Sequence, residues 1–371
     1  MLRASSLFLA GLLITMPGFA QQTFESDKED FRLETMAEGL EHPWGIAFLP
    51  DGRILVTERA GRLRIIEQGR LQPDPMKGLP EVAATGQGGL LDIELHPDFS
   101  NNQILFLSYA HSTSDGLTTR YARARLTDNG LEDIEVIFEA LPRSNTSRHF
   151  AGRMAFDQEG LLYVTVGDRG EMERAQDTGD DAGGVHRITP QGKPAPGNPF
   201  LDDPAANDTF YTYGNRNIQG MTRHPQTGEI WTHEHGPRGG DEINIIRAGT
   251  NYGWPEITYG IGYSGLPITT DVKKEGMAQP LHYWDPSIAP SGMTFYQGDA
   301  FPQWQGDLFV GALKMRKLVR LTIDGEQVKE EEDLLTGLEQ RIRDVALGPD
   351  GMLWLLTDSP NGKVYRMVPA Q

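Results

Sequence analysis

Arg148-His149-Phe150-Ala151-Gly152-Arg153-Met154-Ala155-Phe156 runs through Asp157-Gln158-Glu159-Gly160 into Tyr163-Val164-Thr165-Val166-Gly167-Asp168-Arg169-Gly170. This reads as a polar turn bearing a histidine, a short apolar strand, a tight turn, a second strand and then an aspartate. The layout recurs along the chain. Gly45-Ile46-Ala47-Phe48 and Ile54-Leu55-Val56-Thr57 flank Pro50-Asp51-Gly52, and Leu91-Asp92-Ile93-Glu94-Leu95 precedes Ile104-Leu105-Phe106-Leu107. Gly220-Met221-Thr222 leads to Gly228-Glu229-Ile230-Trp231, and Gly292-Met293-Thr294-Phe295-Tyr296 leads to Gly306-Asp307-Leu308-Phe309-Val310-Gly311. The last copy is Asp344-Val345-Ala346-Leu347, then Gly348-Pro349-Asp350-Gly351 and Met352-Leu353-Trp354. Anchored on Ile46, Ile93, Met154, Met221, Met293 and Val345, the intervals are about 47 to 72 residues, which long loops on one face would explain. Six four-stranded antiparallel units arranged radially predict an all-β fold, a six-bladed β-propeller that hides its sheet edges by closing on itself. Phe31-Arg32-Leu33-Glu34 is expected to complete the last blade and fasten the ring. Residues 21–371 are read as one domain, with a two-domain β-sandwich as the alternative.

Residues 1–20 read as a signal peptide: Arg3 is the positive region, Leu7–Met16 is almost wholly apolar, and Gly18-Phe19-Ala20 ends on a small residue. That apolar run is too short to span a bilayer. No later segment is apolar enough to insert, so the mature chain is expected to be exported, soluble and periplasmic. Cysteine is absent, which excludes disulfides, thiolate metal sites and a cysteine nucleophile. A formal charge of −18 disfavours nucleic acid and anionic membranes as partners. Lys329-Glu330-Glu331-Glu332-Asp333 reads as a solvated charged face without chemistry. A monomer is expected, with a dimer as the alternative.

In a propeller, the loop leading into each innermost strand and the loop leaving the second strand open on the same face. His149 stands five residues before Met154, Arg216 five before Met221, Gln87 six before Ile93, and Arg341 and Arg343 four and two before Val345. Asp168, the run His233-Glu234-His235-Gly236-Pro237, and Lys314 follow second strands. One mouth therefore collects a base, a carboxylate, four cations and a glutamine. Histidine is the commonest general base, and a carboxylate in reach would fix its tautomer. Singly, each residue has an ordinary explanation as a loop histidine, a turn aspartate or a surface-paired arginine. Four cations converging on one face of an acidic chain point to a small bound polyanion, and carboxylates match arginine forks. His233 and His235 invite zinc, but nothing supplies a third ligand at zinc spacing. Gly236-Pro237 with Gly239-Gly240-Asp241-Glu242 better suits a hard cation held by oxygens, which is calcium chemistry.

Joined in order with His42-Pro43-Trp44-Gly45, Gly86-Gln87-Gly88-Gly89-Leu90-Leu91, Tyr213-Gly214-Asn215-Arg216-Asn217 and Asn251-Tyr252-Gly253-Trp254-Pro255, these residues resemble the soluble quinoprotein glucose/sorbosone dehydrogenases, most closely the periplasmic aldose sugar dehydrogenases. The resemblance covers nearly the whole mature chain. It implies a six-bladed propeller that binds pyrroloquinoline quinone (PQQ) and calcium and oxidises the C1 hydroxyl of aldoses to lactones. By resemblance, His149 is the general base, Asp168 orients it, and the C1 hydride passes to the C5 carbonyl carbon of the quinone. Arg216 then stabilises charge growing on the C5 oxygen, and calcium on the main-chain oxygens of Gly236 and Pro237 polarises the same quinone. Gln87, Arg216, Asn217, Lys314, Arg341 and Arg343 match positions that hold the cofactor, which carries three carboxylates, and Tyr263 joins them as an aromatic contact. A second, structural calcium is implied at Glu242 and Tyr252, although the further acid that larger family members recruit is replaced here by Gly260-Ile261-Gly262-Tyr263. Shorter loops imply an open site and broad sugar acceptance. Two other readings stay open. A calcium-dependent lactonase would need carboxylates converging on the channel, and a non-enzymatic binding propeller would give His149, Asp168 and Arg216 no reason to share a register.

Overall fold

The computed structural model describes residues 22–370; the signal peptide expected over residues 1–20 lies outside them. Six antiparallel sheets form a six-bladed β-propeller. The blades, in order, have as innermost strands Pro43–Phe48, Leu90–Leu95, Met154–Phe156, Ile218–Arg223, Pro290–Phe295 and Ile342–Leu347. Each sequence anchor falls inside one of these strands.

The turns that made the repeat visible do local work. Leu49 N–H donates to Arg53 O at 2.8 Å and Gly52 N–H donates to Leu49 O at 3.0 Å. Gly52 has φ 90, a left-handed value that glycine adopts without a Cβ penalty. Gly348 and Met352 pair in the same way around Gly351, whose φ is 73. Between neighbouring blades lie six apolar clusters, one per gap. In the gap between the fifth and sixth blades, for example, Tyr296, Trp304 and Phe309 pack with Val345, Leu355 and Met367. Burial of such side chains from both sheets is what holds blade to blade.

The ring closes as expected, by more residues than the sequence suggested. Phe31–Leu40 pairs antiparallel with Gly362–Pro369, so the last blade combines strands from opposite ends of the described chain. The acidic run 329–333 sits in the outer strand Gln327–Leu334 of the fifth blade and is more than a solvated face. Because alternate residues of a strand face opposite ways, Glu332 reaches the buried Arg320 at 2.7 Å while Asp333 pairs with Lys317 at 2.5 Å.

The centre of the ring is pinned by Arg153. Its Nη1 lies 3.2 Å from Asp92 of the second blade, and its Nη2 lies 2.9 Å from Asp344 of the sixth. Its Nε donates to Gln219 O of the fourth blade at 2.8 Å, and the guanidinium stacks 4.1 Å from the Trp44 ring of the first. Gly292 leaves the necessary room, since a Cβ there would stand 2.0 Å from Asp344 Oδ1.

Candidate active site

The residues preceding the innermost strands gather at one mouth of the ring. His149, Ala151 and Arg169 carry left-handed φ values of 49, 56 and 59. Such conformations cost energy in non-glycine residues and persist where surrounding contacts enforce them. Gln87 supplies one such contact, its Oε1 accepting the His149 N–H at 2.7 Å.

His149 Nδ1 lies 2.5 Å from Asp168 Oδ1. Asp168 is fully buried and also accepts from Gly170 N–H at 2.7 Å and from the Trp254 indole Nε1–H at 2.8 Å. Burial pushes its carboxyl up, but the hydrogen bond from His149 and the other donors outweigh it, leaving the group below the ordinary carboxylate value. An ionised Asp168 accepts the Nδ1 proton, so His149 keeps Nε2 as its free basic nitrogen.

Arg216 is nearly buried, and its main-chain oxygen accepts the Asp168 N–H at 2.8 Å. Its Nη1 donates to the carbonyls of His235 and Gly236 at 3.0 and 2.9 Å. The guanidinium lies 5.3 Å from the Trp254 ring and 6.0 Å from that of Tyr263, which is 73% exposed. Trp254 thus touches both Asp168 and Arg216; in the sequence it stood out only as one residue of the Asn251-Tyr252-Gly253-Trp254-Pro255 motif.

Beside this group is a cavity of about 220 Å³ lined by Trp44, Gln87, Asn217, Arg341, Arg343 and Asp358, among others. Asn217 Oδ1 accepts Ala151 N–H at 3.2 Å. Arg341 and Arg343 do not stand alone. Arg341 donates through Nε and Nη2 to Asp358 Oδ2 at 3.2 and 2.9 Å, and Arg343 Nη2 donates to the same oxygen at 3.0 Å. His42 Nδ1 lies 2.7 Å from Asp358 Oδ1. Sequence reasoning missed this carboxylate, although it directly follows the strand Leu353–Thr357, the register that singled out Asp168. Lys314 is exposed and does not line this cavity.

The residues expected to bind calcium fall in one neighbourhood. Glu242 pairs in register with Glu234, and both flank a void of about 10 Å³ with Gly236, Gly240, Tyr252 and Thr258. Burial pushes Glu242 well above the usual carboxylate value, with Glu234 adding repulsion, and pushes Glu234 up to about 7. Glu234 accepts from Asn215 Nδ2 at 2.7 Å and from the Arg216 N–H, while Glu242 meets Asn244 Nδ2 at 3.4 Å, so two adjacent carboxylates keep acceptor capacity that suits a hard divalent cation. The Tyr252 hydroxyl donates to Ile245 O at 2.6 Å, which leaves its main-chain oxygen as the atom available to a metal. Gly236 O accepts from Arg216 but retains a second lone pair. His233 and His235 do not converge. His235 Nε2 lies 2.6 Å from Pro290 O, and the fully buried His233 ring fills the space a side chain at Gly220 would need.

At the other end of the ring a larger cavity, about 610 Å³, is lined by Asp92, Glu94, Asp157, Glu159 and Asp344 with Arg153 and Arg223. Its acids and the Arg153 pin give it a charge opposite to that of the arginine cavity.

A sequence model described as Glucose / Sorbosone dehydrogenase matches residues 40–366. The chain is 43% identical to the aldose sugar dehydrogenase YliI of Escherichia coli over 344 residues, covering 91% of this chain and 92% of that protein. The structure of the soluble aldose sugar dehydrogenase of E. coli in its apo-form superposes with a TM-score of 0.89 at 42% identity, covering 92% of this chain and 100% of that one. The PQQ-bound form of the aldose sugar dehydrogenase of Streptomyces coelicolor matches with a TM-score of 0.75 at 27% identity, covering 91% and 98%. Among the described residues no helix is long and apolar enough to cross a membrane.

Proposed function

The chain belongs to the glucose/sorbosone dehydrogenase family, and from that premise we propose that it is a periplasmic, PQQ-dependent oxidoreductase that converts the C1 hydroxyl of aldoses to the lactone. The observation that carries the reading is the buried His149–Asp168 pair at 2.5 Å, set beside a cavity lined by Arg341 and Arg343. PQQ, when bound, supplies the two-electron acceptor for the C1 hydride, and calcium supplies Lewis acidity. Gln87, Asn217, Arg341 and Arg343 would hold the cofactor from the cavity wall, Lys314 would reach it from outside the cavity and Tyr263 would contact it, while Gly236 and Pro237 would hold the first calcium and Glu242 and Tyr252 the second.

His149 takes the C1 hydroxyl proton at Nε2 while Asp168 holds the other ring nitrogen and faces the charge that develops on the imidazole. Arg216, backed by Trp254, offers donors to negative charge growing in the site. The left-handed backbone at His149 and Ala151 keeps the base pointed from a loop otherwise free to relax. We extend the proposal to a single propeller domain after signal removal, acting as a monomer.

Reconstitution tests it: protein stripped of cofactor and metal is given PQQ, calcium and an aldose, and dye reduction is followed. Activity that requires both additions supports the reading. Failure to bind PQQ with calcium present removes it and makes lactone hydrolysis the next assay.

A further inference from the structure

Asp358 is the one carboxylate lining the arginine cavity among the described residues, and nothing above gives it a task. It is held from both sides. In front, Oδ2 receives Arg341 and Arg343; behind, Oδ1 meets His42 Nδ1 at 2.7 Å. His42 is itself fixed at the junction of the last and first blades. Its N–H donates to Ser359 O at 2.8 Å, its carbonyl accepts Arg59 N–H at 3.1 Å, and its φ is 46. Two residues on, Trp44 lies 5.9 Å from the Arg343 guanidinium. Trp44 therefore lines the arginine cavity, and His42 stands behind Asp358.

The donor inventory of the two arginines differs. Arg341 spends Nε and Nη2 on Asp358 and Nη1 on Leu313 O at 3.2 Å. Arg343 spends only Nη2, leaving Nε and Nη1 for something else. Arg59 also lines the cavity, so three guanidinium charges stand against one carboxylate and leave two net positive charges. The Arg343 charge, the hydrogen bond with His42 and Arg341 also draw the Asp358 carboxyl far below its ordinary range, against a burial effect that would raise it.

We propose that Asp358 is a positioning residue for the cofactor site: it turns Arg341 into a strut and holds Arg343 by Nη2 so that its remaining donors face a ligand carboxylate. The inference rests on reading the cavity as the place of a polycarboxylate cofactor. The competing description is that Asp358 merely occupies arginines that a ligand would claim. The two differ in sign. Removing a competitor tightens binding, whereas removing a positioner weakens it.

The test uses the full chain carrying Asp358→Asn, with His42→Gln as the second variant should the first fail to fold. Without any cofactor, phenylglyoxal modification of Arg341 and Arg343 is followed by peptide mass spectrometry. Both arginines are expected to react severalfold faster in Asp358→Asn, and faster to a smaller degree in His42→Gln. With calcium present, the PQQ dissociation constant is read by quenching of tryptophan fluorescence. It is expected to rise roughly tenfold or more, the effect of losing one charge-assisted contact. Unchanged arginine reactivity, or tighter PQQ binding in the variant, overturns the proposal. If the unaltered protein fails to bind PQQ, the cofactor reading falls, and arginine reactivity still judges Asp358.

Discussion

Asp168→Asn isolates the contribution of the charge behind His149. The aspartate accepts from His149 and Gly170 on Oδ1 and from Trp254 on Oδ2. Asparagine has one acceptor atom for these three donors. With its oxygen toward Trp254, its NH₂ faces Gly170 N–H and forces His149 to carry its proton on Nε2, so the base is lost. With its oxygen toward His149, NH₂ meets the indole N–H in a buried site, a mismatch of about 1–3 kcal/mol. Even in that orientation the developing imidazolium has no counter-charge. A pair of unit charges about 4 Å apart at an effective dielectric near 20 is worth about 4 kcal/mol, or roughly three decades in rate. We therefore expect kcat for aldose oxidation to fall on the order of 10³-fold while the PQQ dissociation constant changes little. Stability gives a second reading. The folded Asp168 carboxyl lies below its ordinary value, so its stabilisation is present above the unfolded carboxylate value and is lost as pH falls through the folded one. Thermal midpoints of the two proteins should therefore converge in acid. A variant that keeps kcat within tenfold, or whose loss lies wholly in PQQ affinity, would refute the reasoning.

Arg153→Met leaves Asp92 and Asp344 buried without their cation, and breaking a buried pair in this way costs about 3–5 kcal/mol; a large drop in the thermal midpoint is expected, and a drop no larger than that of a surface arginine variant would contradict the pin. Burial raises Asp92 to about 6, with Arg153 only partly opposing it. A raised carboxyl contributes stability that is full below its unfolded value and lost as pH rises through about 6, so wild type should gain on Asp92→Asn as pH is lowered from 7.5 to 4.5, and parallel midpoint curves would count against it. Calcium added to cofactor-free protein should raise the midpoint, by an amount equivalent to about 2.7 kcal/mol at a hundredfold excess over its dissociation constant; Glu242→Gln should abolish most of that shift, and an undiminished shift would place the ion elsewhere.

Much of this molecule was legible because its signals are local. The apolar strands around Ile46, Met154 and Val345 are each followed by glycine turns, and local hydrogen bonds such as Leu49 to Arg53 fix those turns without help from the rest of the fold. His149 and Asp168 could be assigned to one mouth by register alone, and they meet at 2.5 Å. What register could not supply was where long side chains end. Arg341, Arg343 and Arg216 begin on the expected face, but each guanidinium is directed by a partner 15 to 20 positions on, past the end of the next strand: Asp358 for the first two, the carbonyls of His235 and Gly236 for the third. Arg153 appeared only as one residue of a motif, because its two acids lie 61 positions before and 191 after it. The outer strand Gln327–Leu334 was read as solvated because its charges mask a period-2 pattern whose inward side is ionic.

The pairing of Phe31–Leu40 with Gly362–Pro369 makes the propeller a ring with a clasp. Five blades are each complete when their own four strands exist, but the sixth cannot form until residues more than 300 positions apart have met. Loop closure over such a span opposes folding before any contact repays it, which predicts slow, late closure. Asp358, His42 and the arginine cavity lie at that same seam between the last and first blades. The anion-binding wall would therefore be the final part of the molecule to assemble and, under strain, the first to come apart.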